Sequence, residues 1–141
     1  MSVSGDAICE KDCPQLELEF ERNDEAPSLA RAAVLGFCEN RALGGPTIAT
    51  LLLLVSEVVT NAVVHPDADA SGRVALRACI KRETVRIEVS DDGRGFTPEP
   101  RDPDRPTGGY GLFLVEKEAT RWGVERAPRT TVWFELAREA A

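Results

Sequence analysis

The stretch from Gly44 to Pro66 constrains the fold more than any other part of this chain. Gly44-Gly45 stops whatever helix precedes it, and Pro46 suits the first turn of a new one. From Ile48 through Leu51-Leu52-Leu53-Leu54-Val55 the residues are almost wholly apolar, and Pro66 forbids simple continuation past His65. The pattern predicts one long, strongly apolar helix from Pro46 to about His65. Glu57, Asn61 and His65 are spaced four apart, so they share one polar face of it. That face has two readings. It is a solvated stripe on a half-buried helix, or it is metal work. In the second reading the Asn61 amide oxygen is a hard ligand suited to Mg2+, and Glu57, one turn earlier, is placed to deprotonate a nearby hydroxyl or water.

The remaining segments supply sheet and cover. Leu16, Leu18 and Phe20 alternate with Glu17, Glu19 and Glu21, the period of a half-buried strand. Pro27-Ser28 opens a helix predicted to reach about Leu43, with Leu29, Ala33, Val34 and Phe37 at helical spacing. Residues 74–80 and 85–90 form a hairpin that turns near Arg82-Glu83. Tyr110 to Arg121 predicts a third helix with Leu112, Val115 and Ala119 on one face. Residues 122–126 and 130–136 close the chain as strands, Val132, Phe134 and Leu136 alternating with Thr131, Trp133 and Glu135. This order lacks the regular alternation of a doubly wound fold. It predicts an α/β two-layer sandwich, a mixed sheet covered on one face by about three helices. The 141 residues fit a flexible leader over 1–14 and a single domain over 15–141.

A formal net charge of −7, with no run of clustered Lys or Arg, argues against direct nucleic-acid binding. Met1 to Asp12 lacks the basic and then apolar pattern of a signal peptide, and no unbroken run of about 18 apolar residues exists to span a membrane. The expected compartment is the cytoplasm. Cys9 and Cys13 fall in the polar leader, while Cys38 and Cys79 read as small core residues. With His65 far from the Cys9/Cys13 pair, a zinc site lacks ligands.

The second chemical signal follows the strand ending at Ser90. Asp91 sits at a strand end, where a carboxylate accepts a hydrogen bond from an exocyclic amine such as that of adenine. Gly93 and Gly95 allow a sharp turn and close approach to a flat base. The plain alternative is an ordinary Asp-Gly turn. Residues 93–111 are rich in Gly and Pro, a long loop of the kind that is usually functional. Gly108-Gly109-Tyr110-Gly111 precedes a helix, where backbone N–H groups make an anion site. Arg94, Arg101 and Arg105 are available to neutralise a triphosphate, or are merely solvated.

Taken in order, E-V-V-T-N-A-V-V-H, S-D-D-G-R-G-F, G-G-Y-G-L-F-L-V and T-T-V-W-F-E-L resemble the Bergerat-fold (GHKL) ATP-binding superfamily over roughly residues 16–137. That superfamily includes gyrase, Hsp90-type chaperones, histidine kinases and MutL proteins. The short length looks like its anti-sigma-factor serine/threonine kinases. The resemblance implies that Asn61 binds Mg2+, that Glu57 is the catalytic base and that Asp91 takes the adenine amine of ATP. It implies that Gly93 and Gly95 shape the base pocket, that Gly109 and Gly111 close a lid over the phosphates, and that Thr130 supports the adenine side. Two departures stand out: Arg129 replaces the usual glycine before the final Thr pair, and Pro66 follows His65.

The implied function is a switch kinase that holds a sigma factor and phosphorylates an anti-anti-sigma antagonist. A second reading is an ATP-binding module that sequesters a partner without phosphorylating it. A third, a sensor histidine kinase fragment, lacks a separate phospho-acceptor histidine. The resemblance also implies a homodimer and partner contacts near the first strand and helix. There Glu17, Glu19, Glu21, Arg31, Glu39 and Arg41 are expected around an apolar stripe, unless that helix simply covers the sheet.

Overall fold

The computed structural model describes residues 15–39, 41–64, 72–91, 112–125 and 130–138. Its elements run β1 (Leu16–Glu21), α1 (Ala26–Cys38), α2 (Gly45–Val64), β2 (Arg73–Ile80), β3 (Thr84–Asp91), α3 (Phe113–Glu118), β4 (Arg121–Glu125) and β5 (Thr130–Ala137). The five strands form one sheet in the order β1-β2-β3-β5-β4. Every pairing among them is antiparallel, so the expected mixed sheet is corrected to an antiparallel one. The reason is local. β2 and β3 are joined by a tight turn, in which the Lys81 N–H donates to the Thr84 carbonyl at 2.8 Å. β4 and β5 pair as neighbours in the chain, and short connections favour antiparallel partners.

Strand alternation sorts the sheet into two faces. Val74, Leu76 and Ala78 of β2, Val85, Ile87 and Val89 of β3, and Val132, Phe134 and Leu136 of β5 are buried beneath the helices. The register puts Phe20 opposite Val74 and Leu18 opposite Leu76, so the apolar side of β1 faces the same way. Helix α2 is the keystone of this layer, touching α1, α3, β2, β3 and β5. Its Leu51, Leu54, Val55 and Val59 are fully buried, each burial contributing about 1.5–3 kcal/mol. By length and composition alone α2 is long and apolar enough to cross a membrane, which the sequence reading had excluded. In this fold it is the central helix of the sandwich, and its two-sided packing accounts for its composition.

Helix α1 ends at Cys38 rather than near Leu43. Arg41 closes it, donating from Nη1 to the Phe37 carbonyl at 3.0 Å while its guanidinium lies 4.3 Å from the Phe37 ring centroid. Ala42 then takes φ 56, a left-handed conformation that turns the chain into α2. The buried stripe of α1 is Ala26, Ala30, Val34, Phe37 and Cys38, whereas Leu29, expected in the core, is 52% exposed. The helix is rotated so that small alanines lie against the sheet and α2. Helix α3 is shorter than expected, six residues from Phe113.

The opposite face of the sheet is charged yet partly buried. Arg86, fully buried on β3, donates to Glu88 at 2.9 Å and to Glu135 of β5 at 2.7 Å, and stacks 4.2 Å from the Trp133 ring centroid. Gly123 of β4 lies opposite Trp133, and a Cβ there would meet the indole at 2.8–2.9 Å. Cys79 also lies on this face. It is disulfide-bonded, which corrects its reading as a simple core thiol, and its partner is outside the described residues. Cys38 is a free, buried thiol, as expected.

Candidate functional site

The candidate residues come from the sheet and from α2, which packs on its β3 and β5. On the sheet side, Asp91 ends β3. It continues the inward set Val85, Ile87 and Val89, so it points toward the helical layer rather than the charged face. Its register partners are Val74 on β2 and Thr130 on β5. Antiparallel pairing therefore brings Asp91 and Thr130, nearly forty residues apart in the chain, side by side at one end of the sheet. Both are buried, Asp91 at 5% and Thr130 at 1% exposure. The Thr130 Oγ1 is buried without a hydrogen-bond partner.

On the helix side, α2 presents Glu57 and Asn61 one turn apart. Asn61 is buried at 3% exposure. Glu57 is half-buried, and desolvation pushes its carboxyl above the ordinary glutamate value. A carboxylate held part-way out of water is a stronger proton acceptor than a surface glutamate, which suits a general base. Just before it, Ser56 accepts a hydrogen bond from Arg31 of α1 at 2.7 Å, which ties the two helices beside the polar stripe. The plain reading of that stripe as fully solvated is set aside by the burial of Asn61.

His65, Gly93, Gly95, Gly109, Gly111 and Arg129 lie outside the described residues, as do Arg94, Arg101, Arg105 and the loop expected to close over the phosphates. Among the described residues no cluster of three or more His, Cys, Asp or Glu could hold a metal ion.

One residue at this end escaped the sequence reading. Arg22 follows β1, and its Nη2 lies 3.7 Å from the Asp91 Oδ1, both side chains being 7% exposed. The signal was in the alternation. Leu16, Leu18 and Phe20 point inward, so the next inward position is 22, and a charge there breaks the pattern.

Comparison with known proteins bears on the fold and the family. The model of the family described as "histidine kinase-like ATPase domain" matches residues 20–136. An anti-sigma F factor of Caldanaerobacter subterraneus is 34% identical over 89% of this chain and 83% of its own length. A serine-protein kinase, RsbW, of Oceanobacillus iheyensis is 30% identical over 72% of each chain. A solved chain with RsbU and RsbW domains from Mycobacterium tuberculosis superposes with a TM-score of 0.67 at 21% identity. That superposition covers 92% of this chain and 34% of the other, and it speaks to the fold alone.

Proposed function

Because this chain belongs to the histidine kinase-like ATPase domain family, we propose that it is an ATP-dependent serine/threonine kinase acting as an anti-sigma factor. In this reading it holds a sigma factor inactive and phosphorylates an anti-anti-sigma protein, which then releases its grip. Relatives named anti-sigma F factor and serine-protein kinase support the assignment. The observation that carries it is the pairing of buried Asp91 with buried, unpartnered Thr130 at one end of the sheet.

The residues present fit a purine nucleotide. Asp91 accepts from the exocyclic amine. The orphaned Thr130 hydroxyl offers a donor or acceptor to the base edge, directly or through water. The resemblance assigns the base pocket to Gly93 and Gly95 and the phosphate lid to Gly109 and Gly111, which lie outside the described residues. Asn61 holds Mg2+, which when bound neutralises triphosphate charge. Glu57 takes the proton of the attacking serine or threonine hydroxyl, one helical turn from the metal ligand. Phosphoryl transfer asks a protein mainly for positioning and charge neutralisation.

Calorimetry with ATP and Mg2+ tests the binding half. Wild-type protein should bind, Asn61→Ala should weaken binding when Mg2+ is present, and Asp91→Asn should weaken preference for adenine. Indifference of the wild type to millimolar ATP would sink the reading. A pull-down from the native cell, with and without ATP, tests the switch. The antagonist should carry a new phosphoserine or phosphothreonine only in the ATP arm, and there it should be found in the released fraction. Capture without phosphorylation would leave a sequestering module in its place.

A further inference from the structure

Arg22 is a cation in an expensive position. Its Nε, Nη1 and Nη2 are all buried, and none makes a hydrogen bond. The Asp91 carboxylate, 3.7 Å away, neutralises its charge but is too far to accept one of its N–H groups. A guanidinium carries five N–H donors, and leaving them unpaired out of water is strongly unfavourable. Native folds rarely keep such a group without a use for it. Position 22 is not a passive place for it either. It continues the inward side of β1, on the sheet face where Phe20 packs into the core. The side chain therefore reaches across the end of β2 to the terminal carboxylate of β3.

The result is an acceptor and a set of donors side by side in a buried corner, with the unpartnered Thr130 hydroxyl opposite Asp91. A ligand that satisfies this corner presents a donor next to an acceptor. Adenine does so on either side of its amine, since a ring nitrogen flanks the amine on both edges. A base whose amine is replaced by a carbonyl presents an acceptor to Asp91 instead and is repelled.

We propose that Arg22 reads the nucleobase, donating to the ring nitrogen beside the amine that Asp91 accepts. This rests on the reading of Asp91 as the base-binding carboxylate and adds the second half of base selection. Asp91 alone selects for an amine, whereas Asp91 with Arg22 selects for an amine adjoining a ring acceptor. Arg22 also pairs with the carboxylate, but reading the base is the property that a purely structural ion pair would lack.

The test uses the full chain and needs no variant at first. Binding of ATP, 1-deaza-ATP and 7-deaza-ATP is measured by calorimetry, each analogue replacing one flanking ring nitrogen by a carbon. Loss of a hydrogen bond to a charged donor weakens binding by roughly 10–100-fold. One of the two analogues should show that loss in the wild type and so identify which edge is read. In Arg22→Met the same analogue and ATP should bind alike, and Arg22→Lys should restore part of the difference. If neither analogue is weaker than ATP in the wild type, Arg22 does not read the base. If the discrimination persists undiminished in Arg22→Met, another group reads it. Asp91→Asn separates the two levels. If it weakens ATP binding while the deaza analogues match ATP, only the Arg22 assignment falls. If it leaves ATP binding unchanged, the base-site reading falls and this inference with it.

Discussion

Glu57 is under two opposed demands. Burial on α2 lifts its carboxyl above the ordinary value of 4.5, so the charged form is disfavoured in the folded protein. The folded state then binds more protons than the unfolded state from 4.5 up to the raised value. Stability therefore falls as pH rises through that window, and the penalty is complete above it. The uncharged Glu57→Gln should melt higher than wild type at neutral pH, and the advantage should vanish near pH 4, below the ordinary value. The same variant should lose phosphoryl transfer by about 10²–10⁴ while keeping nucleotide affinity within a few fold. Equal transfer in variant and wild type would return Glu57 to a structural role. A site residue that destabilises its own fold is a common trade of stability for activity. Glu57 was legible in the sequence because three polar side chains at spacing four interrupt an apolar run. Arg22 was not, because the alternation of β1 was followed only as far as Phe20. The pairing of Asp91 with Thr130 was legible only through resemblance, since strand register is a tertiary fact.

At the scale of elements, the period of the apolar residues located all five strands and the long helix, while the ends of α1 and α3 were missed. Helix α1 stops early because Arg41 caps it and Ala42 adopts φ 56, and no proline or glycine marks that point. The charged face was also missed, because alternation places Arg86, Glu88 and Glu135 on the side away from the helices and gives no sign of their burial. They are buried, and burial pushes the Glu88 carboxyl up despite the bond from Arg86 and the charges of Arg77 and Lys81. Removing the central cation should be severe. Arg86→Met leaves two buried carboxylates facing each other across β3 and β5, at a loss of about 3–5 kcal/mol at neutral pH. Urea unfolding at pH 7 and pH 5 checks the cause. The loss should shrink at the lower pH as Glu88, whose carboxyl burial already raises, takes up a proton, and an equal loss at both would point to packing rather than charge. A second element-scale test is Gly123→Ala. Its methyl would press on the Trp133 indole, which is itself held between Arg86 and Arg121, so the indole cannot move freely aside. The expected destabilisation is about 1–3 kcal/mol, read from the same unfolding curves.

For the whole molecule the open question is which surface meets a partner. The sequence placed Glu17, Glu19 and Glu21 on one surface with the first helix, but the sheet separates them. The three glutamates lie on the charged face, and α1 covers the other. Two of the three are already engaged across the strand pair, Glu19 with Arg73 at 2.9 Å and Glu17 with Arg77 at 3.3 Å. Reversing a glutamate alone would set like charges opposite each other on an antiparallel pair, which destabilises the edge strand by itself. Any lost association would then be ambiguous. A charge swap avoids this. Arg77 is a poor choice, because it also lies 3.8 Å from buried Glu88. Glu19 and Arg73 are both more than half exposed. The double variant Glu19→Arg with Arg73→Glu keeps an ion pair but inverts the pattern a partner meets. Its unfolding free energy should stay within about 0.5 kcal/mol of wild type, and ATP binding should be unchanged. If two copies associate through this face, sedimentation at low salt should show weakened self-association, because charge patterns steer and register an interface more than they strengthen it. The difference should fade at high salt, where exposed charges are screened. Undiminished association of the swapped protein at low salt would move the interface away from β1 and leave the charged face to fold stability alone.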